Sequence, residues 1–483
     1  MDEVRERGGE REESFAPEIS SKHLPPVTYR DLPEPRPFWK IVGPGVIVAA
    51  GGIGSGEYIL WPAITQQVGL GLLWAALFGS IIMFFIATEC ARYTLATGET
   101  IITGFSRLWK PWWIGFILMA VIPNLWPGYA TGTGTILTFV LGGGDVILIT
   151  VLALIAIVLS LTLSPVVYQF MEKAQAVMMA IMLLFIVFAA FIAIRADVWG
   201  DFARGFVSVG NIPEGTSIPL LAGAVAFAGA GGTGVLMVSN YVRDKNMGMG
   251  LHIPRIVSPI TGHEEPGSNI GHFFPQNEEN MSRWRGWWRV ANHEQFWTFF
   301  LFTIATIAIM SALAYSTVFG QNVGEEFDFI RAEGEALGEV VGPWFTIFFW
   351  FTGIIALFST NLAVWDMVGR ISADALKANW LLENRFWTES KLYATVLTFL
   401  FVFSVGVLVS GLQEPLILLT IVSVLSGITS FIYCMLIIQL NRFSLPSSVK
   451  MGNARLVIMS IAVLFYGFFF LITVLDLLGV FGG

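Results

Sequence analysis

Few residues of this chain can do chemistry in apolar surroundings, and most of them sit in or beside two runs of glycine. The first run is Gly51-Gly52-Ile53-Gly54-Ser55-Gly56-Glu57 and the second is Gly229-Ala230-Gly231-Gly232-Thr233-Gly234. Glycine costs a helix about 1 kcal/mol relative to alanine, so such runs mark places where the backbone leaves helical geometry. A break exposes N–H groups, with partial positive charge, at the start of the following half-helix. It also exposes carbonyls, with partial negative charge, at the end of the preceding one. One break can therefore hold an anionic group or a cation, and the side chains around it decide which. Gly54, Ser55, Gly56, Gly229, Ala230, Gly231, Gly232 and Thr233 are the binding candidates from the two runs.

Glu57 follows the first run directly. It either caps the second half-helix alongside Ser55 or faces a cavity. In the second role it is a costly intramembrane carboxylate, and such groups are functional by default. It would then carry a proton, or coordinate a hard cation such as Mg2+ or Mn2+, which makes it the one candidate metal ligand. Asn124 lies between Pro123 and Pro127, which should kink their helix. It either lines the same path or bonds a carbonyl freed by the kink. Asn361 is placed mid-segment. Asp366 and Arg370, four apart, share a helix face and can pair; Glu89 and Arg92, three apart, can do the same. Both pairs read as structural or gating contacts, with proton transfer as the alternative.

These residues need elements to position them, and the composition says which kind. Hydrophobic residues make up 55% of the 483 positions and charged residues only 13%, against about 25% charged in soluble domains. Eleven apolar segments, at 40–67, 70–95, 111–140, 146–165, 170–195, 218–242, 295–319, 342–369, 389–411, 414–440 and 454–481, approach or exceed the roughly 20 residues a membrane helix needs. The glycine runs interrupt the first and the sixth. Non-helical backbone at membrane depth must be buried in protein or line a wet cavity. Two such interruptions at corresponding places in two halves point to a transporter's binding site.

With the N-terminus in the cytoplasm, 24 of the 27 Lys and Arg residues fall on the cytoplasmic side and only Arg195, Arg204 and Arg331 outside. This is the asymmetry expected of a plasma (inner) membrane protein, and it puts the C-terminus outside. Residues 1–37 are charged and proline-rich and read as a disordered cytoplasmic tail that docks only at Phe38-Trp39-Lys40. Residues 243–294 form one long polar loop with His252, His263, His272 and His293, whose spacing matches no compact metal site. Cys90 and Cys434 lie inside apolar segments and give no disulfide framework. Basic residues form no stripe for nucleic acid. No nucleophile arrangement or cofactor motif suggests an enzyme, and no cofactor is expected. The expected partners are the lipid bilayer and a small transported solute or metal cation.

Spans 1–5 and 6–10 each open with an interrupted helix. An odd number of spans per half gives the halves opposite orientation, as the charges require. The expected fold is an all-α integral membrane protein with a five-plus-five inverted repeat. Residues 38–440 form a ten-helix core, with repeats at about 40–195 and 218–440, and 454–483 a peripheral eleventh helix. At this point Gly43-Pro44-Gly45, followed by the first glycine run, resembles the Nramp (natural resistance-associated macrophage protein) transporters. Ser359-Thr360-Asn361 through Arg370 resembles divergent members of that group. The resemblance implies a LeuT-like fold, with helices 1 and 6 broken, in a proton-coupled carrier of divalent metals. The chain departs from it at the sites of metal binding. The family's Asp-Pro-Gly-Asn motif falls on Gly54, Ser55, Gly56 and Glu57, and its Met-Pro-His motif has no counterpart in Ala228 to Thr233. Ile53-Gly54-Ser55-Gly56 also resembles the Gly-Ser-Gly turn of amino-acid carriers in the same superfamily. Two expectations follow: a secondary transporter of an inorganic cation, divalent metal first, working by alternating access; or a carrier of a small organic solute such as an amino acid or carboxylate.

Overall fold

The computed structural model describes residues 19, 22–216, 218–254, 256–257, 270–321, 323, 327–412 and 415–477; the side chains of Ser55 and some other helical residues lie outside the described set. Among the described residues, nine helical runs are long and apolar enough to cross a membrane. The first of them, Pro44–Thr97, contains two of the expected segments. α1 (Pro44–Gly52), a π-helical stretch (Ile53–Leu60) and α2 (Trp61–Val68) form one, and after a turn at Gly69 α3 (Leu73–Thr97) forms the next. α4 (Ile101–Leu108) then leads to α5 (Trp112–Val121) and α6 (Gly128–Leu141), separated by a 3-10 turn at Pro123–Leu125, where the two prolines were expected to kink the span. α7 (Val146–Leu163), α8 (Val167–Phe188) and the short α9 (Val198–Val207) complete the first half.

The sixth segment is divided into α10 (Ile218–Ala226) and α11 (Met237–Asp244), neither long enough to cross alone. α12 (Glu278–Gln295) continues through a π turn into α13 (Leu301–Thr317). α14 (Asp328–Val340), α15 (Pro343–Asn379), α16 (Glu389–Val409), α17 (Pro415–Ile438) and α18 (Asn453–Leu477) follow. With the turn at Gly69 and the divided sixth segment, the nine runs account for the eleven segments read from the sequence.

Local chemistry sets where the helices begin. Asp145 accepts the N–H groups of Ile147 and Leu148, Asn277 that of Asn280, and Thr388 that of Lys391, so three polar N-caps take up otherwise orphaned donors. α1 starts with Pro44, which lacks an N–H. The flanking N–H groups of Gly43 and Gly45 donate to Glu294 Oε1 at 3.3 and 2.8 Å. A carboxylate from α12 is thereby placed at the positive end of α1.

Two expectations need correction. The tail does not wait until Phe38 to dock. Leu24, Val27 and Leu32 are buried, and β1 (Thr28–Tyr29) pairs in parallel with β2 (His272–Phe273). Leu32 N–H donates to Asn280 Oδ1 at 3.0 Å, Arg283 Nη1 to the Leu32 carbonyl at 2.9 Å and Trp287 Nε1 to the Pro33 carbonyl at 2.7 Å. The surface that orders this segment is supplied by residues some 250 positions later, so its own composition could not reveal it; residues 1–18, 20 and 21 lie outside the described residues. The far end of the expected 243–294 loop is also helix. α12 buries Trp284 and Trp287 and runs on into the seventh span.

α14 lies outside the spans and rests on α15, whose Trp350 Nε1 donates to the Ile330 carbonyl at 3.3 Å. Its Glu333 is buried beside Tyr58, and burial pushes the carboxyl up to about 8. A carboxyl that binds its proton more tightly when docked favours docking fully below its ordinary range, around 4.5, and the contribution is lost as pH rises through about 8. Hydrogen-exchange protection of residues 328–340, corrected for the intrinsic pH dependence of amide exchange, should therefore fall between about 4.5 and 8 and then level off, and Glu333→Gln should remove that fall.

Candidate functional site

The two glycine runs meet, and they do so backbone to backbone. A Cβ added at Gly52 would lie 2.5 Å from the Gly229 carbonyl oxygen, and one at Gly56 would lie 2.0 Å from that of Phe227. Only glycine permits this approach.

The runs differ in form. The second leaves helical geometry between α10 and a 3-10 turn at Gly232–Leu236, with Gly229 at φ +112° and Gly232 at φ +57°. The first was expected to be broken and instead widens into the π-helical stretch without unwinding. The physical reason lies on α15. Gly54 N–H and the Ala50 carbonyl would pair with each other in an uninterrupted α-helix. Here Gly54 N–H donates to Thr360 Oγ1 at 2.8 Å, and Ser359 Oγ donates to the Ala50 carbonyl at 2.9 Å. Two adjacent hydroxyls thus satisfy both groups, and the helix swells around a partner wedged against it. π-bulges of this kind are frequent at functional sites.

A cavity of about 40 Å3 opens beside these stretches, lined by Gly51 from the first run and Ala230, Gly231 and Thr233 from the second. That is space for two or three waters, each needing some 10–15 Å3 on the same measure. Asn124, Tyr129 and Ser426 add polar atoms, Met237, Tyr241 and Met367 also line it, and the rest of the wall is mostly apolar. Asn124 also donates to the Ala120 carbonyl at 2.8 Å, so it fills both roles considered for it. Thr233 Oγ1 donates to Met367 Sδ at 3.3 Å. Met237, Met367, Tyr129, Tyr241 and Ser426 were not singled out from the sequence. The four-residue spacing of Thr233, Met237 and Tyr241 was the available signal, since it sets all three on one helical face.

The remaining candidates lie elsewhere. Gly56 and Gly229 shape the contact with the opposite break, Gly54 faces Ala356 and Thr360 of α15 and Gly232 faces Ser426 of α17, and none of the four lines the cavity; Ser55's side chain lies outside the described residues. Asn361 is buried off the cavity. Glu57 also does not line it; its carboxylate is buried beside Thr303 and Thr306 of α13. Asp366 and Arg370 pair as their spacing suggested, Nε to Oδ2 at 2.8 Å. They belong to a larger buried ladder: Arg370 also contacts Asp244, and Arg243 reaches Asp244 at 3.0 Å, Asp374 at 3.1 Å and Glu389 at 3.3 Å. The ladder meets the cavity through Tyr241, whose hydroxyl donates to Asp366 Oδ2 at 2.9 Å. Glu89 holds Arg92 at 2.8 Å and Arg455 at 3.1 Å, and accepts from Asn441 at 3.0 Å. It fastens α3 to the last two spans and stands apart from the cavity. Among the described residues no group of three or more His, Cys, Asp or Glu converges as a metal site.

The family model described as natural resistance-associated macrophage protein-like matches residues 45–476. The chain belongs to the Nramp family. It is a multi-pass membrane protein built on the family's fold, as solved structures also indicate. A mutant of the Eremococcus coleocola manganese transporter superposes with a TM-score of 0.68 at 12% identity, over 96% of this chain and 92% of that one. The same transporter bound to an aromatic bis-isothiourea substituted compound gives 0.64 at 14%, with the same coverage. MhsT in complex with L-phenylalanine, a LeuT-fold protein, gives 0.54 at 14%, over 89% of this chain and 97% of that one. At such identities the likeness is one of fold. No protein with a curated description matches the sequence significantly. Within the Nramp fold this chain has a cavity wall of hydroxyls, one amide, phenols and thioethers set among the apolar Ile47, Val48, Phe227, Ala363 and Val364, and no carboxylate is among its lining residues.

Proposed function

We propose that this Nramp-family protein is a secondary transporter that moves a divalent metal cation through the cavity beside the two glycine runs by alternating access. The observation carrying the reading is the cavity itself, lined by both runs in a fold whose solved neighbours include a manganese transporter. Thr233, Asn124 and Ser426 supply oxygen donors, and Met237 and Met367 supply softer sulfur. The cavity suits an ion with a few waters far better than a drug-sized solute, which needs hundreds of Å3. The lysine and arginine distribution supports a plasma-membrane orientation with the N-terminus in the cytoplasm and the C-terminus outside. On that orientation the Asp366–Arg370 ladder closes the cytoplasmic side.

The test is uptake into proteoliposomes. Mn2+ or Mg2+ should enter saturably, and Thr233→Val, which keeps the shape and removes the hydroxyl, should lower uptake roughly tenfold. One observation favours a second reading: the cavity wall has no charge to balance a bare dication. If neither metal enters and amino acids raise the melting temperature of the purified protein, the cargo is a small organic solute instead.

A further inference from the structure

Glu57 is fully buried, and among the described residues neither of its carboxylate oxygens has a partner at hydrogen-bond geometry. It faces the hydroxyls of Thr303 and Thr306 on α13, and among the described residues no charged group acts on it. Thr303 Oγ1 is likewise buried without a partner. Thr306 Oγ1 donates to the Phe302 carbonyl at 2.9 Å, which leaves its lone pairs free. Three side-chain oxygen groups therefore converge with acceptor capacity to spare, and the one uncommitted hydroxyl hydrogen, on Thr303, cannot fill it. The spot abuts the break: a Cβ on Gly229 would sit 3.6 Å from Thr303 Cγ2. It is nevertheless separate from the cavity, whose wall includes neither Glu57 nor either threonine.

An isolated ionised carboxylate in an apolar interior is costly, so it either takes up a proton or has its charge compensated by a cation. We propose that Glu57, Thr303 and Thr306 form a second site, distinct from the cargo cavity, for one small monovalent metal cation of the Na+ class. Charge balance selects the valence. A single carboxylate neutralises one positive charge, whereas a dication would leave a net charge buried between the π-helical stretch and α13. The donors select hardness, since all are oxygen. An ion bound here ties the π-helical stretch of the first span to the seventh span, next to the break in the sixth. The sixth span also borders the cavity, so occupancy of the second site and shape of the first are mechanically linked. The role of coupling ion rests on the transporter reading; occupancy of the site does not.

The experiment is thermal unfolding of the detergent-purified full chain in NaCl against choline chloride at constant pH and ionic strength. Na+ should raise the melting temperature saturably, and K+, being larger, should not. Glu57→Gln should abolish the response, Thr303→Val should weaken the apparent affinity roughly tenfold, and Thr303→Ser, which keeps the hydroxyl, should restore it. An Na+-insensitive wild type, a response to pH alone, or a full Na+ response in Glu57→Gln would overturn the site. Cargo uptake with and without an Na+ gradient separates the two proposals. Saturable Na+ stabilisation without any metal uptake leaves this site standing and removes the transporter reading, whereas uptake indifferent to Na+ in a protein that does not bind it does the reverse.

Discussion

Gly56→Ala should abolish transport, lowering uptake by about a hundredfold or more, on the scale of the losses that follow ångström misplacements at reacting sites. The added methyl would lie 2.0 Å from the Phe227 carbonyl oxygen and 2.9 Å from its carbon. These are backbone atoms at the edge of the break, so no flexible side chain can swing aside. Relief requires the first span and the break to separate, which deforms the cavity between them. Overpacking of this kind also costs about 1–3 kcal/mol of stability. The measurement pairs proteoliposome uptake with a thermal melt, and Gly406→Ala serves as the control because nothing lies within 4 Å of a Cβ at that position. Wild-type uptake by Gly56→Ala would show that the contact is not needed.

Arg370→Met should be the most destabilising single change in the buried ladder. Arg370 and its partners Asp366 and Asp244 are all fully or almost fully buried. Removing one partner of such a network leaves uncompensated charge and costs about 3–5 kcal/mol; here one cation serves two carboxylates. Asp366→Asn should cost less, because Arg370 keeps Asp244, one of the Tyr241 and Tyr393 hydroxyls still donates to the retained oxygen, and the oxygen of the other can accept from the new amide NH2. The double variant Asp366→Asn with Arg370→Met should be less damaged than the sum of the two single changes, since its first change removes one of the stranded charges. Melting temperature and monodispersity in detergent report the order. Equal melting temperatures for Arg370→Met and the wild type would mean that the ladder does not hold this face together.

The contrast between what was legible and what was not follows the range of the interactions involved. The eleven segments were readable because hydropathy is local, and the turn at Gly69 and the division after Ala226 fall close to where apolar runs end or glycines cluster. The Asp366–Arg370 and Glu89–Arg92 contacts were readable because helical spacing fixes them. The form of the first glycine run was not, because Ser359 and Thr360, some 300 positions away, meet the backbone groups that would otherwise have unwound it. That Glu57 packs beside Thr303 and Thr306 was not legible either, because a π-helix takes about one more residue per turn and so rotates the side chains that follow away from where an ideal α-helix would put them. Met367 went unnoticed because its partner, Thr233, comes from the other half of the chain.

The segment from Leu24 to Pro33 has a practical bearing. Its backbone is stitched to β2 and to α12, and the Pro25 carbonyl accepts from Arg107 Nη1 at 3.0 Å. It thereby belts together the approaches to the third and seventh spans. Shortening the gene to begin at Phe38, as hydropathy would invite, does not trim a loose end; it unbuckles the belt, and any functional assay on the shortened protein reports on a different machine.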